Sequence, residues 1–234
     1  MSADSAYRLA LQQRLATGGL PHPAVARGDN CLQWQQLLIH CGPLPLTATP
    51  AANLALELNS PWLPPQASSG FALLVAGQRQ ALQQAQPLLD ALAPQAGGWL
   101  YCGPLGAASF CRRVFDALFY LSGPLLLQAA ASGQQTPIDW PALLLQQQEL
   151  LQQLAALSRD YLQQQGEDAA TADEQWQVLD DFRQPPLQQQ HFARNLARLL
   201  LLADSLGENA RQLLEAALDL AAASTGPQNA KSPP

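Results

Sequence analysis

The sequence predicts a small α/β section followed by an all-helical section, with the boundary near Gly103. Three observations predict it. FALLVAG (71–77) and GWLYCG (98–103) are short, continuous apolar runs bounded by turn residues, as buried strands are. Between them Leu82, Ala85, Leu88, Leu89 and Leu92 recur at helical spacing, so Gln78 to Ala93 reads as an amphipathic helix. From Leu105 onward strand patterns give way to leucines at three- and four-residue intervals.

Taken in order, residues 4–17 read as a helix stopped by Gly18-Gly19, and 20–30 (LPHPAVARGDN) as a loop. QQLLIH (35–40) is an apolar run closed by Cys41-Gly42-Pro43 and predicts a buried strand. Thr49-Pro50 opens a helix through about Leu58, because proline is tolerated in a first helical turn. NSPWLPPQASSG (59–70) holds three prolines and a glycine and predicts a loop. Three or four strands are expected in all, at 36–40, 56–60, 71–76 and 99–102. Helical patterns follow at about 105–131, 139–165, 172–182, 186–206 and 208–224. The first of these is apolar on every face and predicts a helix buried all round. The expected units are 1–103, 104–225 and a disordered tail, 226–234.

Composition narrows the function classes. Hydrophobic residues make up 48% of the 234 positions, enough to bury a core. Charged residues make up 13%, about half the usual share, and about thirty glutamines fill the polar balance. Glutamine is a good helix former and here takes wet helix faces. The net charge of −6, with no basic cluster larger than Arg112-Arg113, argues against nucleic acid. The four cysteines form no C-x-x-C and the three histidines lack metal-ligand spacing, so no metal is expected. The N-terminal segment carries an early acid and lacks the apolar core of a secretory signal, which predicts a cytoplasmic protein with reduced thiols. The most apolar stretch, Ala117–Ala131, is shorter than the ~20 residues of a bilayer span and is broken by Gly123-Pro124, so no membrane is expected.

VAG (75–77), PLLDALAP (87–94) and GWLYCGPLGA (98–107), followed by a long helical pattern, stand in a recognisable order. The chain resembles, through them, the 6-phosphogluconate dehydrogenase and 3-hydroxyisobutyrate dehydrogenase superfamily. In that superfamily a strand ending in V-G-G leads to a helix, a strand with a Gly-Pro-x-Gly turn, and a long helix. LLIHCGPLPLTATPAANLALELNSPW (37–62) is similar to the end of its dinucleotide domain, and RNLARLLLLADSLG (194–207) to its K-D-L helix. The resemblance covers roughly residues 37–220. It implies an α/β remnant of a dinucleotide-binding domain followed by an all-α 6-phosphogluconate dehydrogenase C-terminal-like domain.

The departures bear on function. The family holds NAD(P) with G-x-G-x-x-G after its first strand, where backbone N–H groups approach the pyrophosphate. That fingerprint is not found here, and the front half of the dinucleotide domain is expected to be missing. The family's catalytic lysine falls at Arg112, its asparagine at Asp116 and its glutamate at Gln128. An arginine stays protonated and cannot take a lysine's part in proton transfer near neutral pH. The Ser-Gly-Gly substrate loop corresponds loosely to Ser68-Ser69-Gly70, and the Lys-Asp pair of the K-D-L helix to Arg194-Asn195, where Arg194 would keep a phosphate contact.

Plainer readings stand beside these. Arg112 and Asp116, four apart on a helix, can satisfy each other. Cys102 and Cys111 suit inert buried thiols, and His40 a satisfied core residue. The resemblance implies a degenerate dehydrogenase without hydride transfer and with no cofactor, serving as a homo-oligomeric or partner-binding protein. The alternatives are an active NAD- or NADP-dependent hydroxy acid dehydrogenase and a small-ligand-binding module.

Overall fold

The computed structural model describes residues 10–11, 13–16, 24–27, 30–44, 54–61, 69–121, 140–167 and 191–207. It is an α/β structure with one mixed sheet of six strands lying in chain order. β1 (Ala24–Arg27), β2 (Cys31–Trp34) and β3 (Leu37–Cys41) form an antiparallel meander. β3 runs parallel to β4 (Leu54–Asn59), β4 antiparallel to β5 (Leu73–Gly77), and β5 parallel to β6 (Trp99–Gly103). A parallel pair needs a crossover, and helix α1 (Arg79–Leu92) supplies it between β5 and β6. Helix α2 (Ala107–Asp116) follows and runs on into one π-helical turn, Ala117–Leu121. Helix α3 spans Trp140–Gln164, and α4 covers residues 192–207.

Side chains of a strand alternate between faces, and this sheet buries both. One face carries Trp34, Ile39, Leu56, Leu58, Leu73 and Val75 against the Ala85, Leu88, Leu89 and Leu92 side of α1. The other carries Leu74, Ala76 and Cys102 against α2, α3 and α4. Phe110 of α2 stacks on Tyr161 of α3 with ring centroids 4.4 Å apart, which ties the two helices to each other. β5 lies between the two cores and all five of its residues are buried.

Four expectations change. Residues 24–27, expected in a loop, form β1, because each pairs antiparallel with a residue of Cys31–Trp34. Cys31–Trp34 is a further strand, bringing the sheet to six rather than three or four. Its turn into β3 uses Gln35 at φ 54°, supported by the Gln33 Nε2 hydrogen bond to the Gln35 carbonyl at 2.8 Å. Residues 54–59 form β4, so the strand expected at 56–60 is present and the helix expected from Thr49-Pro50 through about Leu58 is not, because β3 and β5 pair with both edges of this segment. The helix after Gly103 is not buried all round: Val114 is fully buried, but Phe119 is 57% and Leu118 40% exposed.

The strands expected at 36–40, 71–76 and 99–102 are present as β3, β5 and β6. Among the described residues no strand follows Gly103. Helix α3 and the helical residues 192–207 match two expected patterns; the patterns at 172–182 and 208–224 and the tail lie outside the described residues. No helix among the described residues is long and apolar enough to cross a membrane.

Candidate functional site

The second face of the sheet carries a charged group in its interior. β4 reads Leu-Ala-Leu-Glu-Leu-Asn, and alternation sends Leu56 and Leu58 to the α1 core while Glu57 and Asn59 point to α2. Both polar residues are fully buried. A carboxyl group so placed is costly unless donors meet it, and α2 brings them. Gly106, at φ 90° ahead of the helix, donates its backbone N–H to Glu57 Oε2 at 2.8 Å. Ser109, in the first turn, donates its hydroxyl to Glu57 Oε1, and Asn59 Nδ2 donates to the same oxygen at 2.7 Å. The positive end of the helix dipole favours the charge there. Burial nevertheless prevails and raises the Glu57 pKa above the usual carboxylate range, with the hydrogen bonds from Ser109, Gly106 and Asn59 opposing it.

The cluster reaches a third segment. The Leu44 backbone N–H donates to Ser109 Oγ at 2.6 Å, and Arg113 donates to the Leu44 carbonyl at 3.4 Å. The turn after β3 is thereby tied to α2. Asn59 Oδ1 is buried without a hydrogen-bond partner among the described residues. Chemically the group is a carboxyl able to hold a proton in a water-poor setting.

One turn further along α2, Arg112 Nε lies 3.3 Å from Asp116 Oδ2. This is the self-satisfied pair that the spacing of four predicts. Burial raises the Asp116 pKa, and Arg112 opposes the rise. Arg194 stands on α4 and pairs through Nη1 with Glu167 Oε1 at 3.2 Å, beyond the end of α3; Arg198 Nη2 reaches Oε2 of the same carboxylate at 3.5 Å. His191 precedes α4 close to Gly103, and its pKa is lowered by burial and then by Arg194.

The structure brings Arg112 and Asp116 together. Ser69 and Gly70 lie elsewhere: Gly70, at φ 75°, packs against the Ala93–Pro94 backbone at the end of α1, on the opposite face of the sheet from α2. Ser68 and Gln128 lie outside the described residues. Among the described residues no group of three or more His, Cys, Asp or Glu side chains could hold a metal ion.

Sequence reasoning missed Glu57, Asn59 and Ser109. The available signal was an acid at position 57 of an otherwise apolar run, with Asn59 two residues on, which in a strand puts both on one face. His40 lies half-buried on β3, with Nδ1 3.9 Å from Cys31 Sγ and Nε2 buried without a partner among the described residues. No family model and no curated protein matches this chain.

Proposed function

We propose that the chain is a degenerate relative of the 6-phosphogluconate and 3-hydroxyisobutyrate dehydrogenases, without hydride transfer, that acts as a dimerising or partner- or ligand-binding protein. The observation that carries the reading is the Arg112–Asp116 pair. At the position where the resemblance implies a proton-shuttling lysine stands a guanidinium 3.3 Å from a carboxylate. Arginine stays protonated, so Arg112 cannot exchange a proton with a substrate hydroxyl near neutral pH as a lysine there would. The order β5, α1, β6, α2, with β5 parallel to β6, supports the kinship, because it is the strand–helix–strand–helix order that the resemblance implies. In this reading the α/β layer is a remnant of a dinucleotide-binding domain and the helices after Gly103 correspond to the family's C-terminal domain.

Titration of the purified protein with NADPH and with NADH, followed by tryptophan fluorescence, tests the reading. It expects no saturable quenching up to millimolar nucleotide. Saturation at micromolar nucleotide overturns it in favour of a working NAD(P)-dependent oxidoreductase.

A further inference from the structure

Register places Cys31 of β2 directly opposite His40 of β3, and His40 directly opposite Glu57 of β4. Residues in register project to the same face, so the three share one row on the α2 side of the sheet. Glu57 is fully buried there, while Cys31 and His40 are half-buried. Cys31 Sγ lies 3.9 Å from His40 Nδ1. The other ring nitrogen, Nε2, has no hydrogen-bond partner among the described residues.

The remaining thiols are placed differently. Cys102 and Cys111 are fully buried in the second core. Cys41 projects to the opposite face, against the α1 core, and burial followed by the nearby Cys31 pushes its thiol up to about 12. Among the described residues, Cys31 alone of the four cysteines therefore combines access with an imidazole in contact with its sulfur.

We propose that Cys31 and His40 form a thiol–imidazole pair that is the chain's site of covalent modification by small soft electrophiles. His40 is suited to receive a proton, because burial lowers its pKa and keeps the ring neutral near neutral pH, with the nearby Pro43 backbone opposing the shift. In the step, the thiol proton passes to His40 Nδ1 as the sulfur electron pair forms a bond to the electrophilic carbon. The leaving group departs with its bonding pair, and the imidazolium then returns the proton to solvent. Oxidation states balance without any further reactant.

The probe is iodoacetamide on the folded protein at neutral pH, with each cysteine followed by peptide mass spectrometry. Cys31 is expected to alkylate about 10-fold faster than Cys41, Cys102 or Cys111. Its rate in the folded chain should also exceed its own rate in urea, where access is complete and the imidazole is no longer held beside it. That comparison needs no variant. His40→Gln, checked for folding by circular dichroism, should slow Cys31 by roughly 10-fold and leave the other three unchanged. Uniform labelling of the four cysteines overturns the proposal. So does a folded-state rate at or below the urea rate, or a wild-type rate in folded His40→Gln.

Discussion

Ser109→Ala removes one oxygen from the interior and tests whether the Glu57 cluster holds the fold together. Ser109 Oγ accepts from the Leu44 N–H at 2.6 Å and donates to Glu57 Oε1. Alanine leaves the Leu44 N–H without that partner, a loss of about 1–3 kcal/mol, and takes a hydrogen bond from a carboxyl group, about 1.5–3 kcal/mol. Alanine is the better helix former and returns ~0.5 kcal/mol at this α2 position. The net expectation is a loss of about 2–5 kcal/mol. Urea unfolding followed by far-UV circular dichroism measures it, as a fall in the midpoint at an unchanged slope. Removing a single hydroxyl creates almost no cavity, so packing cannot supply a loss of that size. A loss below about 0.5 kcal/mol, the range of ordinary surface substitutions, would refute the reasoning.

Glu57→Gln should change how stability depends on pH. Because the folded pKa of Glu57 is raised, the native state binds more protons than the unfolded chain between the ordinary carboxylate range and that raised value. The wild type's stability is therefore greatest below that window and falls as pH rises through it, so its advantage over Glu57→Gln should shrink with rising pH; a growing advantage in unfolding titrations refutes the sign. Gly70→Ala and Gly97→Ala form a matched pair at φ 75° and 74°, but the new Cβ would stand 2.5 Å from the Ala93 carbonyl oxygen at Gly70 and meet nothing within 4 Å at Gly97. Gly97→Ala should cost about 1 kcal/mol and Gly70→Ala clearly more by thermal unfolding, and equal losses refute the contact argument. The combined change Arg112→Lys, Asp116→Asn and Gln128→Glu is expected to give no NAD(P)H-linked turnover of hydroxy acids. A signal at 340 nm that depends on both protein and substrate would contradict the proposed loss of hydride transfer.

What was legible followed from patterns that one segment carries by itself. LLVAG is apolar without interruption and α1 repeats its leucines on one side, so β5, α1 and β6 stand where the sequence puts them. Leu54 and Leu58 are four apart, as in a helix, yet also alternate with Leu56, as in a strand. Only pairing with β3 and β5 decides between those periods. β1 has four residues and depends on β2 for its hydrogen bonds, so its local signal is weak. The site divides the same way. Arg112 and Asp116 lie a helical turn apart and announce their contact. Glu57 and Ser109 are 52 residues apart, and Cys31 meets His40 only through the register of two strands. No local spacing encodes either contact.

The burial of β5 on both faces has a consequence for how the chain survives its own synthesis. FALLVAG is seven residues with no charge and no proline, the composition that self-associates into cross-β stacks when left uncovered. Until β4, β6 and α1 close around it, this stretch is an aggregation hazard. Arg79, two residues beyond Gly77, starts α1 and leans over the Tyr101 ring at 5.6 Å in the finished fold. In the unfolded chain the same charge flanks the apolar run and acts as a gatekeeper against stacking. Recovery on refolding should therefore fall with protein concentration, and fall faster when Arg79 is replaced by leucine.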